Sequence, residues 1–145
     1  MNTSVIFRFI SMIVITTTGL LLATWCLLWL YLLGPLGYTA PEPVDYSAET
    51  YHVFAYGTLK QPWIRRFIIG RSVDVHEDSL SGYQRHGLDL QVEPKEVTTG
   101  LRFAVTSTEM QRLDRYERLG VRYQREHMQL DSGLDAWVYR RIAVE

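Results

Sequence analysis

Residues 9–33 hold no charged side chain and consist mostly of Leu, Ile, Val, Phe, Trp and Met. A helix rising about 1.5 Å per residue over that length crosses a hydrocarbon core of about 30 Å. The pattern therefore predicts one transmembrane helix, with residues 1–33 as an uncleaved N-terminal anchor. A secretory signal is the competing expectation, but its apolar stretch is about 7–15 residues long and ends in small residues. Here the run is longer, and Tyr38 stands in its exit where a small residue would be wanted. Trp25, Trp29 and Tyr31, near the end of the run, suit the aromatic belt of a membrane boundary.

Further along, the apolar positions fall into short runs. "YHVFAY" from Tyr51 and "AWVYRRIAV" from Ala136 are rich in β-branched and aromatic residues and predict strands. "TTGLRFAVT" from Thr98 alternates Leu101, Phe103 and Val105 on one face and predicts another. "HMQL" from His127 gives a shorter fourth, joined to the last by Asp131-Ser132-Gly133 as a hairpin. Two segments carry helical signals. "STEMQRLDRYERL" places Thr108 three residues before Gln111, a capping-box pattern, with Met110, Leu113 and Leu119 as an apolar face. "PWIRRFII" opens on Pro62, turns Ile64, Phe67 and Ile68 inward and stops at Gly70. The middle stretch "SGYQRHGLDLQVEPKE" shows no period that assigns it. Residues 34–50 set Pro35, Pro41 and Pro43 among small and acidic residues and read as an extended linker. That leaves residues 51–145 as one compact domain.

Composition narrows the function classes. The chain of 145 residues is 47% hydrophobic and 21% charged, as in an ordered protein. After Leu33 it carries 14 basic and 16 acidic residues with no basic block, so no nucleic-acid partner is expected. Arg8 precedes the apolar run, and Glu42, Asp45 and Glu49 follow it. The positive-inside rule then places the domain on the non-cytoplasmic side of a single-pass protein. Cys26, the one cysteine, lies in the apolar run, so the domain has neither a disulfide nor a thiol nucleophile. His52, His76, His86 and His127 form no i, i+4 pair, and no metal site is expected. Phosphate loops, GxGxxG and a nucleophile elbow are also absent from the sequence, so no cofactor is expected. Nothing in the pattern fixes an oligomeric state.

Two features remain as candidate chemistry. Gly57, directly after a strand, lets the chain turn and frees N–H groups that suit a carboxylate, although an ordinary strand-ending turn has the same look. Glu117 has Leu113 and Val121 at i−4 and i+4 and the like charge of Asp114 at i−3. With partial burial, that setting raises a carboxyl pKa toward the range useful for proton transfer. On local grounds alone Glu117 reads sooner as a solvated surface residue among Arg115, Arg118 and Arg122.

Taken in order, "VFAYGTL", "LSGY", "TTGLRFAV", "LDRYE", "YQR" and "AWVY" resemble the gamma-glutamylcyclotransferase-like family, over about residues 53–139. The resemblance implies an α+β fold, a small mixed β-barrel with short helices, here preceded by the transmembrane helix. It implies a small-molecule γ-glutamyl substrate whose carboxylate is held by the turn of Tyr56, Gly57, Thr58 and Leu59. By the same resemblance Glu117 is the catalytic acid and base. Tyr123 is expected to close the pocket, Tyr139 to reach it with its hydroxyl, and Arg125 to pair with a carboxylate. Trp137 is expected in the core, with Gly82 and Gly100 serving backbone geometry. The implied reaction yields 5-oxoproline and a free amine without a cofactor. A non-catalytic module that binds the same class of ligand is the alternative. The chain departs from the family pattern at Lys60-Gln61-Pro62 and at Arg118-Leu119-Gly120, both beside the implied pocket.

Overall fold

The computed structural model describes residues 3–32, 38 and 44–143. The chain divides into two compact units, Met1–Tyr38 and Thr39–Glu145. In the first, helix α1 (Thr3–Leu32) contains Arg8–Tyr31, a 24-residue stretch of mean hydropathy 2.0 with none of its most apolar window buried. That length and composition fit a membrane span, and a signal sequence near an N-terminus passes the same test. Thr16, Thr17, Thr18 and Thr24 turn their hydroxyls back onto carbonyls of the preceding turn, which satisfies them without water. The stretch expected as a linker lies outside the described residues at 34–37 and 39–43.

The second unit is a half-barrel sheet of five strands with short helices. In chain order it contains β1 (Thr50–Ala55), a 3₁₀ turn (Thr58–Lys60), α2 (Pro62–Ile69), β2 (Val75–His86), β3 (Asp89–Thr106), α3 (Ser107–Glu117), β4 (Tyr123–Gln129) and β5 (Asp135–Arg141). The sheet order is β2-β3-β1-β5-β4, with β1 and β5 parallel and the other neighbours antiparallel. β1 lies at the centre and is buried on both faces from Val53 to Ala55, which explains its unbroken apolar run. Phe54, Tyr56, Leu80, Leu90, Leu130, Ala136 and Val138 form a continuous buried cluster. α3 packs against β1 and β3, and α2 against α3.

The unassigned middle is the β2–β3 hairpin, whose register shifts between Ser81 and Tyr83, where Gly82 sits. Gly100 answers a steric demand: a Cβ there would meet the Ala55 carbonyl oxygen at 2.6 Å and the Phe54 ring at 2.6 Å. The fourth strand begins at Tyr123 and takes in both "YQR" and most of "HMQL" before the chain turns through Asp131-Ser132-Gly133 into β5.

Three expectations on the helices and core are corrected. Helix α2 runs from Pro62 to a left-handed cap at Gly70, φ 92°, as its pattern predicts, yet Phe67 is 56% exposed. Its inward face is Arg65, Ile68 and Ile69, because α2 packs its other side against α3. Helix α3 is capped by Thr106 and Glu109, which close a reciprocal capping box, and not by Thr108 and Gln111. Trp137 is only half-buried: the Arg125 guanidinium lies over its ring at 4.6 Å, and His127 stands beside it.

Candidate active site

β1 ends at Ala55, and the chain passes through Tyr56 and Gly57 into the 3₁₀ turn. The turn's own hydrogen bonds run from Lys60 N–H to the Gly57 carbonyl and from Gln61 N–H to the Thr58 carbonyl. The N–H groups of Thr58 and Leu59 stand at its start and are not used by those bonds. Arg65, buried on α2, donates through Nη1 to the carbonyls of Leu59 and Lys60, each at 2.8 Å. It thereby fixes the turn from behind, on the carbonyl side.

An open pocket with about 330 Å³ of empty space, mouth included, lies over this turn. Its walls contain all seven expected site residues: Tyr56, Gly57, Thr58, Leu59, Glu117, Tyr123 and Tyr139. Phe54, Ala55 and Leu88 complete the lining. A Cβ on Gly57 would approach only Leu88 Cδ2, at 3.7 Å, so packing does not demand a glycine there.

Glu117 is the last residue of α3, half-buried, with its carboxyl pushed up to about 7. Loss of solvent is the largest cause; Arg122 opposes it and Asp114 adds to it. The helix ends immediately afterwards because Arg118 takes the left-handed conformation, φ 54°, and Leu119 N–H returns to the Asp114 carbonyl at 2.9 Å. This departure from the family pattern therefore falls on a position where glycine is favoured, and Arg118 meets a conformational cost of about 1 kcal/mol.

The tyrosines divide their work. The Tyr56 hydroxyl donates to the Tyr139 carbonyl, and Tyr123 reaches the Leu88 carbonyl at 3.4 Å. Burial pushes both phenols above their ordinary values. Tyr139 lines the pocket, but its hydroxyl is turned away and donates to Asp114 Oδ1, which corrects the expectation that it faces the ligand. Asp114 also accepts from Tyr46 at 2.6 Å and from Arg125 at 3.0 Å. Arg125 thus pairs with a carboxylate, as expected. Burial pushes the Asp114 carboxyl up, against the three donors that favour its charge. This cluster fixes Tyr139 and the last turn of α3, and with them the pocket wall.

Leu88, Arg65 and Tyr46 were not legible as site residues. Leu88 sits in the unassigned middle stretch. Arg65 has no motif, and Tyr46 belongs to a stretch that reads as linker, where a lone tyrosine is the only signal. Among the described residues, no group of His, Cys, Asp and Glu is placed to hold a metal ion.

Comparison with solved structures returns the same fold. Two Arabidopsis thaliana proteins solved in solution superpose with TM-scores of 0.56 and 0.57 at 21% and 23% identity. The matches cover 68% and 66% of this chain, and 66% and 71% of theirs. A structure described as a gamma-glutamyl cyclotransferase superposes with a TM-score of 0.56 at 14% identity, over 67% of this chain and 69% of its own. Comparison with curated proteins by sequence returns no match. The family model described as "Gamma-glutamyl cyclotransferase, AIG2-like" matches residues 53–143, which spans the sheet, the turn and Glu117, and the chain belongs to that family.

Proposed function

We propose that this protein cyclises a γ-glutamyl amine, amino acid or peptide to 5-oxoproline and releases the free amine, with Glu117 as proton carrier. The observation that carries this reading is the meeting, in one pocket, of a carboxyl with a pKa of about 7 and a backbone turn whose leading N–H groups are not used by the turn's own bonds. The substrate's α-ammonium cannot attack until it loses a proton, and Glu117 in its charged form accepts it. The nitrogen then bonds to the γ-carbonyl carbon and the amide C–N bond breaks. The proton held by Glu117 passes to the departing nitrogen as that bond breaks. The freed carboxylate then takes the second proton from the new ring nitrogen and yields it to the released amine, which leaves as an ammonium; the reaction balances without an oxidant or reductant. Thr58 and Leu59 N–H hold the α-carboxylate, which folds the glutamyl chain so that nitrogen and carbonyl meet. Tyr123 and Tyr139 supply walls.

In this reading α1 is an uncleaved single-pass anchor. The asymmetry between Arg8 and the acids Glu42, Asp45 and Glu49 supports a domain outside the cytoplasm. The test is 5-oxoproline release from a panel of γ-glutamyl amines and dipeptides, beside Glu117→Gln. Release by the native chain that falls by at least about a hundredfold in the folded variant supports the assignment. Saturable ligand binding without product across the panel would replace the enzyme with a binding module.

A further inference from the structure

Helix α2 shows two large aromatic rings to solvent. Trp63 is 69% exposed and Phe67 56% exposed, and their i, i+4 spacing puts both rings on one face. Exposed Arg66 lies on the same helix, and half-buried Lys60 closes the turn that leads into it. No acidic residue occurs between Thr50 and Asp74, a span that holds Lys60, Arg65, Arg66 and Arg71. Two of these charges are engaged, Arg71 with Glu109 at 2.6 Å and Arg65 with the turn carbonyls. Among the described residues of the span, that leaves Arg66 on the same helix as the two rings and Lys60 in the turn that precedes it.

We propose that Trp63, Phe67, Arg66 and Lys60 dock this domain on an anionic lipid surface. Aromatic rings on a helix face, with cations on that helix and in the turn before it, suit the boundary between headgroups and acyl chains, where the rings leave water and the cations meet phosphate. Charge distribution favours a lipid occupant. Outside the span, acidic residues outnumber basic ones, so an anionic surface attracts this face and repels the remainder. The inference rests on the anchor reading for proximity: the chain between Leu32 and Val44 reaches at most about 40 Å when fully extended. The bilayer that holds α1 is then within reach of the domain. Because α2 begins two residues after the turn that lines the pocket, docking also holds that turn beside the membrane.

The test uses the full chain with Cys26→Ser and Phe67→Cys, carrying an environment-sensitive fluorophore on the new thiol. It is reconstituted into phosphatidylcholine vesicles with or without phosphatidylglycerol, and a Leu134→Cys chain serves as reference because Leu134 is 46% exposed on the β4–β5 turn. The expected result is a blue shift at position 67 and not at 134, larger in anionic vesicles, weakened by salt and reduced by Arg66→Gln. Equal emission at both positions in both lipids overturns the proposal. A shift that appears in detergent alone and grows with protein concentration also overturns it, by assigning the face to a second copy. Alkaline carbonate extraction of the same vesicles tests the anchor separately. If the chain is extracted, addition of labelled protein to preformed anionic vesicles still reads docking by its own shift.

Discussion

Glu117 shows how a buried carboxyl strains the fold that holds it. Its carboxyl titrates near 7 in the folded chain against an ordinary value of 4.5. The folded protein therefore retains a proton that the unfolded chain releases across that window, and stability falls as pH rises through it. The cost is complete above about pH 7 and absent below about pH 4.5, with a ceiling of about 3–4 kcal/mol at about 1.4 kcal/mol per pH unit. Glu117→Gln removes the charge and keeps the shape. The expected outcome is a variant that melts higher than the native chain near pH 8 and together with it near pH 4.5. Equal melting differences at both pH values would mean that the buried charge is not what the substitution relieves. The sequence gives the direction of this shift through the like charge at i−3, but burial is the larger cause. Burial was not legible, because the arginines around Glu117 in sequence describe a solvated face and only the helix end turns the carboxyl into the pocket.

At the scale of elements, strands buried on one or both faces were legible and exposed ones were not. Phe103 and Val105 in β3 are buried, and their alternation predicts the strand. From Gln91 to Glu96 both faces of the same strand are exposed, which leaves no period of two to read. The cap of α3 was misplaced for a related reason. The sequence offers two frames of the same pattern, Thr106 with Glu109 and Thr108 with Gln111, and Thr106 had already been read as strand. It is both: it pairs with Thr50 at the end of β3 and accepts from Glu109 N–H, while Glu109 Oε2 accepts from Thr106 N–H at 2.9 Å. Arg71 holds the same carboxylate and keeps its pKa low. Thr106→Ala should cost about 1 kcal/mol in a denaturant midpoint, and Thr108→Ala less than about 0.5 kcal/mol. The reverse order of losses would put the cap in the frame that the sequence first favoured.

For the whole molecule, the question is where the folded domain begins. Proline and acidic content put that boundary near Tyr51, since such a segment buries too little apolar surface to order itself. Tyr46 is ordered by another route: its hydroxyl donates to Asp114, a buried carboxylate on α3, and its ring lies 5.6 Å from the Arg125 guanidinium. Composition cannot reveal a single long-range hydrogen bond, so the docking of this segment was invisible in the sequence. The bond matters because Asp114 is removed from water, and each of its donors offsets that loss. A hydrogen bond to such a charge contributes about 1.5–3 kcal/mol. A chain starting at Glu49 should therefore unfold at lower denaturant than one starting at Val44, by about 2 kcal/mol. Tyr46→Phe in the longer chain should reproduce most of the difference. Identical midpoints for the two starts would mean that Arg125 and Tyr139 suffice to hold Asp114, and that the domain begins where the sequence put it.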